Sequence, residues 1–268
     1  VTRRHKHDMA RNQDPSRPAV QGVCPMSTLT GKVALVTGGS QGIGLATVYQ
    51  LVASGAKVIT CGRSSGKWAD VLARFPALDG VDFWAVDLTQ PSSLKNWFAD
   101  IRQRYGRLDI AVNNFATGNR GVGSFANLAE DELTTALHAA LRAPIACLQE
   151  EIALMLTNKS GAVIVNVSSV NGLRATPGAA IYSAAKHGIE GISKSLALEY
   201  ISQGIRINSV APGVTLTPSW ESRLAAAESP AKMKAEVEAL VPLQRFATPE
   251  EIANAIVWLC SDASSYVV

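Results

Sequence analysis

Little in this chain would take it into a membrane, cross-link it or hold a metal. No apolar run approaches the about 18 residues that a membrane-spanning helix needs. The four cysteines, Cys24, Cys61, Cys147 and Cys260, are scattered, with no Cys-x-x-Cys pair and no metal-ligand spacing. That pattern argues against a disulfide framework and a zinc module. It predicts free thiols, no bound metal and a reducing, cytoplasmic setting. Charged residues make up only 18% and hydrophobic residues 47% of the 268 positions. Such a composition fits a compact globule rather than general disorder, and the length suffices for one large domain with a substantial core. No internal repeat or interdomain linker interrupts it.

The net charge of +3 has a local origin. Arg3, Arg4, Lys6, Arg11 and Arg17 against Asp8 and Asp14, five against two, place all of it before residue 26. The body is neutral overall, so no nucleic-acid surface is expected there. Val1–Pro25 is polar, proline-bearing and aperiodic, and it lacks the apolar stretch of a secretory signal. It reads as a disordered extension, with Met26 opening a folded domain over 26–268. An arginine-rich organelle address is the other reading.

From Lys32 onward, short β-branched runs alternate with longer amphipathic ones. Strands are predicted at Val33–Thr37, Val58–Cys61, Val81–Val86, Leu108–Asn113, Ala162–Val167 and Ile205–Val210. Helices are predicted over Ile43–Ser54, Lys67–Phe75, Ser92–Tyr105, Glu130–Leu156, Ala179–Ser202 and after Thr248. Pro144 should kink the long fourth helix, and Thr248 and Pro249 should cap and open the last. Continuous apolar strands between helices mean an α/β domain, a Rossmann-type doubly wound parallel sheet covered on both faces.

The turn after the first strand reads Thr37-Gly38-Gly39-Ser40-Gln41-Gly42-Ile43-Gly44. Glycines at this spacing let the backbone turn tightly and approach a pyrophosphate resting on a helix N-terminus. The second strand ends in Cys61-Gly62-Arg63-Ser64, without the acidic residue that would hold a ribose 2′-hydroxyl. Arg63 offers instead a permanently charged fork for a 2′-phosphate, with Ser40, Ser64 and Lys67 at hand. That favours NADP(H); a solvated surface arginine is the plainer alternative. Asp87, followed by Leu88, can accept from an adenine amino group or cap its own turn. Asn113 and Asn114 end the fourth strand, where side-chain amides can bind backbone and cofactor.

Tyr182 and Lys186 lie four residues apart on a predicted helix and so share one face. An ammonium beside a phenol favours the phenolate, and a phenol tuned toward neutral pH is a usable general acid or base. Alone, the pair is a chance spacing on a solvated face. Ser169 ends the fifth strand thirteen residues earlier. Open α/β sheets bind ligands at that edge, although a lone serine there is more often a turn former.

With Asn208-Ser209-Val210-Ala211-Pro212-Gly213, these motifs make the chain resemble the short-chain dehydrogenase/reductase family from Leu29 to Val267. It is most similar to tropinone-reductase-like and 3-oxoacyl-carrier-protein-reductase-like members. The resemblance implies an NADP(H)-dependent carbonyl reductase or alcohol dehydrogenase, active on a small molecule as a homotetramer or homodimer. Tyr182 would exchange a proton with the carbonyl oxygen and Ser169 would hydrogen-bond that oxygen. Lys186 would tune Tyr182 and hold the ribose hydroxyls. The cofactor would lie along Gly38, Ser40, Gln41, Gly42, Ile43, Gly44, Arg63, Ser64, Asp87, Leu88 and Asn114, with Asn113 on its adenosine side. Pro212, Gly213, Thr215 and Thr217 would line the nicotinamide. Phe115, Leu173 and Trp220 suggest an apolar pocket wall, with Trp220 in a helical lid segment over Thr217–Val241. Ordinary helix packing is the other reading of each.

Three departures stand out. Many members carry Asn where Ala140 precedes Leu141-Arg142-Ala143-Pro144. Its loss predicts slower or rewired proton delivery, through His138 or another water. Phe115-Ala116 replaces the usual Ala-Gly. The chain stops at Val268, before the usual seventh strand, which would leave one sheet edge and one oligomer interface incomplete. The first and third admit a different reading, a nucleotide-binding scaffold or sensor with weak catalysis.

Overall fold

A computed structural model of the chain describes residues 28–115, 123–158 and 160–268. The predicted disordered extension and Ala116 lie outside those residues. The first strand shows why the sheet must be covered twice. Val33 and Leu35 join one apolar cluster, Ala34 and Val36 join the other, and all four are buried. A strand with alternating faces both apolar needs a layer on each side.

The strands are β1 (Val33–Thr37), β2 (Lys57–Gly62), β3 (Asp82–Ala85), β4 (Ile110–Asn113), β5 (Ala162–Val167) and β6 (Ile205–Val210). Among the described residues they form one parallel sheet in the order β3-β2-β1-β4-β5-β6. On one face lie α1 (Gly42–Ala53), α2 (Ser65–Arg74) and α9 (Pro249–Cys260), which contribute Leu51, Trp68 and Ile256 to the core. On the other lie α3 (Pro91–Tyr105), α5 (Ala143–Met155) and α6 (Ala180–Tyr200), which contribute Trp97, Phe98, Leu148 and Ala197. Full burial of one such large side chain stabilises the fold by roughly 1.5–3 kcal/mol.

The register has a consequence for function. Thr37 pairs with Cys61 and Asn113, Asn113 with Asn166, and Asn166 with Ser209. A single row, Cys61-Thr37-Asn113-Asn166-Ser209, therefore crosses the sheet at its carboxyl edge. Paired residues of a parallel ladder point to one face, and Cys61 belongs to the cluster under α3, α5 and α6.

Two predicted helices are broken. The long fourth helix is α4 (Glu130–Leu137), a π-turn over His138–Arg142, and then α5. Pro144 has no N–H for the carbonyl of Ala140, so the distortion falls one turn before the proline rather than at it. The segment 217–241 is α7 (Pro218–Ala225) and α8 (Pro230–Ala239), separated where Ser229 turns extended before Pro230. Thr248 caps α9 as predicted: its hydroxyl accepts from Glu251 N at 3.3 Å while Glu251 Oε2 accepts from Thr248 N at 2.8 Å. At the sheet edge, Arg206 and Asn208 of β6 donate to Val267 O at 3.1 and 3.0 Å.

At the opposite end of the strands, buried Asp109 precedes β4. Its Oδ2 accepts from Val33 N at 2.8 Å and from Arg107 Nε at 3.0 Å. Asp109→Ala would leave the buried Val33 amide without its acceptor, and should lower stability by ~1–3 kcal/mol. Urea unfolding at neutral pH reads this; a loss below ~0.5 kcal/mol would contradict it.

Candidate active site

Each part of the site begins where a strand ends. After β1 the chain turns through Gly38 and Gly42, both in the left-handed region at φ +72° and +56°. A Cβ on Gly39 would fall 2.1 Å from Thr60 Oγ1, and one on Gly44 would fall 2.3 Å from Gly38 O and 2.5 Å from Asn114 Nδ2. At Gly39 and Gly44 the turn thus lies too close to Thr60, Gly38 and Asn114 for a side chain to enter. Asn114 holds it from β4: Nδ2 donates to Thr37 O at 3.3 Å and to Gly38 O at 3.2 Å. Behind the turn, α1 starts after an extended Gln41 with no side-chain cap. An uncapped helix start behind a bare-backbone cradle fits a dinucleotide pyrophosphate.

Arg63 follows β2 and is exposed, and Ser40 lies against Gly62, 3.2 Å from the position of an added Cβ. Ser64 caps α2 by accepting from Lys67 N at 3.3 Å, which leaves its hydroxyl proton able to donate. Asp87 caps its own turn. Its Oδ1 accepts from Thr89 Oγ1 at 2.7 Å and Thr89 N at 3.0 Å. The Thr89 hydroxyl above all holds the Asp87 carboxyl below its ordinary range, and Arg63 and His138 add positive charge nearby.

Two expectations at this end need correction. The side chain of Leu88 is buried in the core, so only its backbone can meet a cofactor. The carboxamide of Asn113 does not face the adenosine side. It is buried, donating to Glu151 Oε2 at 2.8 Å and Asn166 Oδ1 at 3.0 Å. Alternation along the strand explains the split: Asn114 meets the glycine turn, so Asn113 points beneath the sheet.

The proton-transfer candidates meet at the ends of β5 and α6. Tyr182 lies in the first turn of α6 and is half-buried. Lys186 is buried, with Nζ 5.8 Å from the Tyr182 ring centre, and donates to Val167 O at 2.8 Å. Val167 ends β5, two residues before Ser169. Ser169 Oγ accepts from Asn171 N at 3.2 Å, which leaves its own proton to be directed elsewhere. The turn after β5 packs directly on the helix: a Cβ on Gly172 would lie 2.7 Å from Ser168 Oγ and 2.9 Å from Lys186 O.

The segment after β6 joins both halves. Pro212 O accepts from Val170 N at 3.0 Å, and Thr215, buried, donates to Gly213 O at 3.2 Å. Thr217 lies against Gly42, 3.3 Å from an added Cβ, so this segment reaches back to the glycine turn. Of the predicted wall, the Phe115 ring packs against the core and Leu173 is exposed. Trp220 meets Phe246 edge-on, ring centres 5.4 Å apart, with Arg223 stacked at 4.3 Å. These contacts hold Trp220 at the start of α7 against the loop before α9. Among the described residues no group of histidine, cysteine or acidic side chains is placed to hold a metal, and no helix is long and apolar enough to cross a membrane.

Sequence reasoning missed the polar groups beneath the edge, above all Glu151, Asn166 and Ser193. One signal was available. Glu151 lies three and four residues from Leu148, Cys147, Leu154 and Met155, all buried, so it falls on the apolar stripe of its helix.

A glycine turn and an open helix start at the reversal of strand order, beside a serine, a tyrosine and a lysine, define a nicotinamide-dinucleotide oxidoreductase fold. Comparison with known proteins agrees. Residues 38–268 match a family model described as enoyl-(acyl carrier protein) reductase. Over 259 residues the chain is 35% identical to a 3beta-hydroxysteroid dehydrogenase of Mediterraneibacter gnavus, covering 90% of this chain and 92% of that protein. It is also 35% identical over 240 residues to a 3-oxoacyl-(acyl-carrier-protein) reductase of Thermotoga maritima, covering 89% and 94%. A variant of actinorhodin polyketide ketoreductase, solved with NADPH, superposes with a TM-score of 0.82 at 29% identity, covering 88% of this chain and 93% of that one. The chain belongs to the short-chain dehydrogenase/reductase family.

Gly44→Ala tests the cradle. The added methyl would displace Gly38 or Asn114, at ~1–3 kcal/mol of stability. Dinucleotide affinity should fall ~10-fold or more, since the displaced atoms form the phosphate turn. A fluorescence titration giving unchanged affinity would remove the turn from the binding site.

Proposed function

We propose that the protein is an NADP(H)-dependent carbonyl reductase or alcohol dehydrogenase, with Tyr182 as its general acid and base. The observation that carries this reading is the lysine: its ammonium lies 5.8 Å from the Tyr182 ring centre while anchored to Val167 O, next to the Ser169 turn. Arg63, standing where an acidic residue would serve the unphosphorylated cofactor, supports NADP(H). So does the likeness to a ketoreductase solved with NADPH. Relatives named for steroid and 3-oxoacyl substrates support a ketone or secondary alcohol. Self-association as a homodimer or homotetramer in the cytoplasm belongs to the same reading.

When bound, the reduced nicotinamide supplies a hydride to the carbonyl carbon. Tyr182 gives its phenolic proton to the carbonyl oxygen as charge develops there. Ser169, whose Oγ already accepts from Asn171 N, turns its proton to the same oxygen and holds it in place. The Lys186 ammonium stabilises the phenolate that remains. Alcohol oxidation runs the same steps in reverse, with the phenolate taking the proton. Ala140 offers no side-chain group for returning a proton to Tyr182, so that return runs by another route than the common asparagine.

The test is NADPH oxidation with ketones, aldehydes and 3-oxoacyl thioesters. Tyr182→Phe should lower turnover ~10²–10⁴-fold with cofactor binding retained; full activity would remove Tyr182 from the mechanism. Arg63→Ala should weaken NADPH binding ~10-fold or more relative to NADH, the loss of a charged fork. Equal affinity for both in the unaltered protein, unchanged in the variant, would sink the cofactor preference. NADPH binding without turnover on any substrate of the panel would favour the scaffold reading.

A further inference from the structure

A chain of buried hydrogen bonds runs beneath the carboxyl edge, and it leaves two buried oxygens without a donor. Asn113 Nδ2 donates one hydrogen to Glu151 Oε2 at 2.8 Å and the other to Asn166 Oδ1 at 3.0 Å. Asn166 Nδ2 donates to Ser193 Oγ at 2.9 Å, and Ser193 Oγ donates to Ile189 O at 2.6 Å. From Asn113 onward every donor points toward α6. Two oxygens are left over, Asn113 Oδ1 and Glu151 Oε1, both buried and both without a partner. Glu151 is 0% exposed.

The two leftover atoms belong to the same pair of groups. If Glu151 were a carboxylate, both would be acceptors with no hydrogen between them. A carboxylic acid meets a primary amide head to head, each donating once and accepting once. We infer that Glu151 is held as a neutral carboxylic acid whose Oε1 hydroxyl donates to Asn113 Oδ1, and that this acid–amide pair positions the ends of β4 and β5 under the active site. One proton then satisfies both orphaned oxygens.

The surroundings agree. Burial pushes the Glu151 carboxyl up to about 8, and the bond from Asn113 offsets this only in part. Its charge would act on Cys147 of its own helix and Cys61 of β2, thiols that burial also pushes up. Asn113 on β4, Asn166 on β5 and Ser193 on α6 are uncharged, α6 also carries Lys186 and Glu190 on the same stripe, bonded to Val167 O and Ser209, and the side chain that bonds to the Glu151 carboxyl is the neutral amide of Asn113. Asn113 directly precedes Asn114, which holds the glycine turn, and Asn166 comes three residues before Ser169. Glu151 is therefore a positioning residue, and that role rests on the proposed catalytic reading. Its protonation does not, so the two can fail separately.

The folded protein keeps a proton that the unfolded chain, with a carboxyl pKa near ~4.3, has lost. Stability is therefore full below about pH 4.3, falls as pH rises toward about 8, and levels above it. Glu151→Gln replaces the hydroxyl with an N–H of the same reach and removes the titration. Between about pH 6 and about pH 8 the melting midpoint of the unaltered protein should fall by ~5 °C or more relative to Glu151→Gln. Glu151→Gln should bind dinucleotide within ~2-fold of the unaltered protein, whereas Glu151→Leu, neutral but without a donor, should bind ~10-fold more weakly. Infrared spectra of the unaltered protein need no variant: a protonated carboxyl band at about pH 6 should vanish above about pH 9. Parallel pH slopes in the unaltered protein and Glu151→Gln, or no such band, would overturn the neutral acid. Unaltered binding in Glu151→Leu would overturn the positioning role.

Discussion

The register at the carboxyl edge of the sheet is the constraint from which the rest follows. It lines up Cys61, Thr37, Asn113, Asn166 and Ser209 on one face, above hydrocarbon and below the site. Polar groups taken out of water must find partners there. Thr37 Oγ1 accepts from the amides of Asn114 and Phe115, both at 3.1 Å, which shapes the strand's exit toward the glycine turn. Ser209 donates to Glu190 Oε2 at 2.7 Å and so ties β6 to α6. The row that closes the core thereby aligns the loops of the candidate site. A one-residue slip in any strand would send these side chains to the opposite face.

Helix α6 belongs to both sides of that boundary. Its lower turns bury Ala185, Ile189 and Ala197 against the sheet, while its first turn lifts Tyr182 to the edge. Lys186, Glu190 and Ser193 fall on the same stripe and bond in turn to Val167 O, Ser209 and Asn166. The π-turn before α5 rests on this helix, because Gly188 leaves room for Leu141; a Cβ there would lie 2.9 Å from Leu141 Cδ1. The geometry of the candidate site and core packing are thus one set of contacts, and a change to either moves the other.

Much of this was legible along the chain because it rests on local rules. Apolar alternation in Val33–Thr37, the glycine spacing at Gly38–Gly44, the Thr248-to-Glu251 cap and the Tyr182–Lys186 spacing each depend on a few neighbouring residues. Broken helices were harder. Pro144 announced a distortion, but its form, a π-turn over His138–Arg142, depends on Leu141 meeting Gly188 on another helix. Asn113 and Asn114 show the limit most clearly. By sequence either amide can bind backbone or cofactor, yet adjacent positions on a strand point to opposite faces, and only pairing tells which faces what.

The sequence by itself determined the class of fold, the family and the residue types able to move a proton and cradle a pyrophosphate. Those properties are written in short-range periodicity and spacing. Tertiary structure alone decided that Asn113 looks inward, that Leu88 serves the core, that Trp220 leans on Phe246, and that Glu151 is sealed beside an amide. Burial is a property of what surrounds a residue, and the surroundings here come from α5, β4, β5 and α6 together, from positions 113 to 193. Local periodicity could place Glu151 on an apolar stripe, but only the packed neighbours take the water from its carboxyl group.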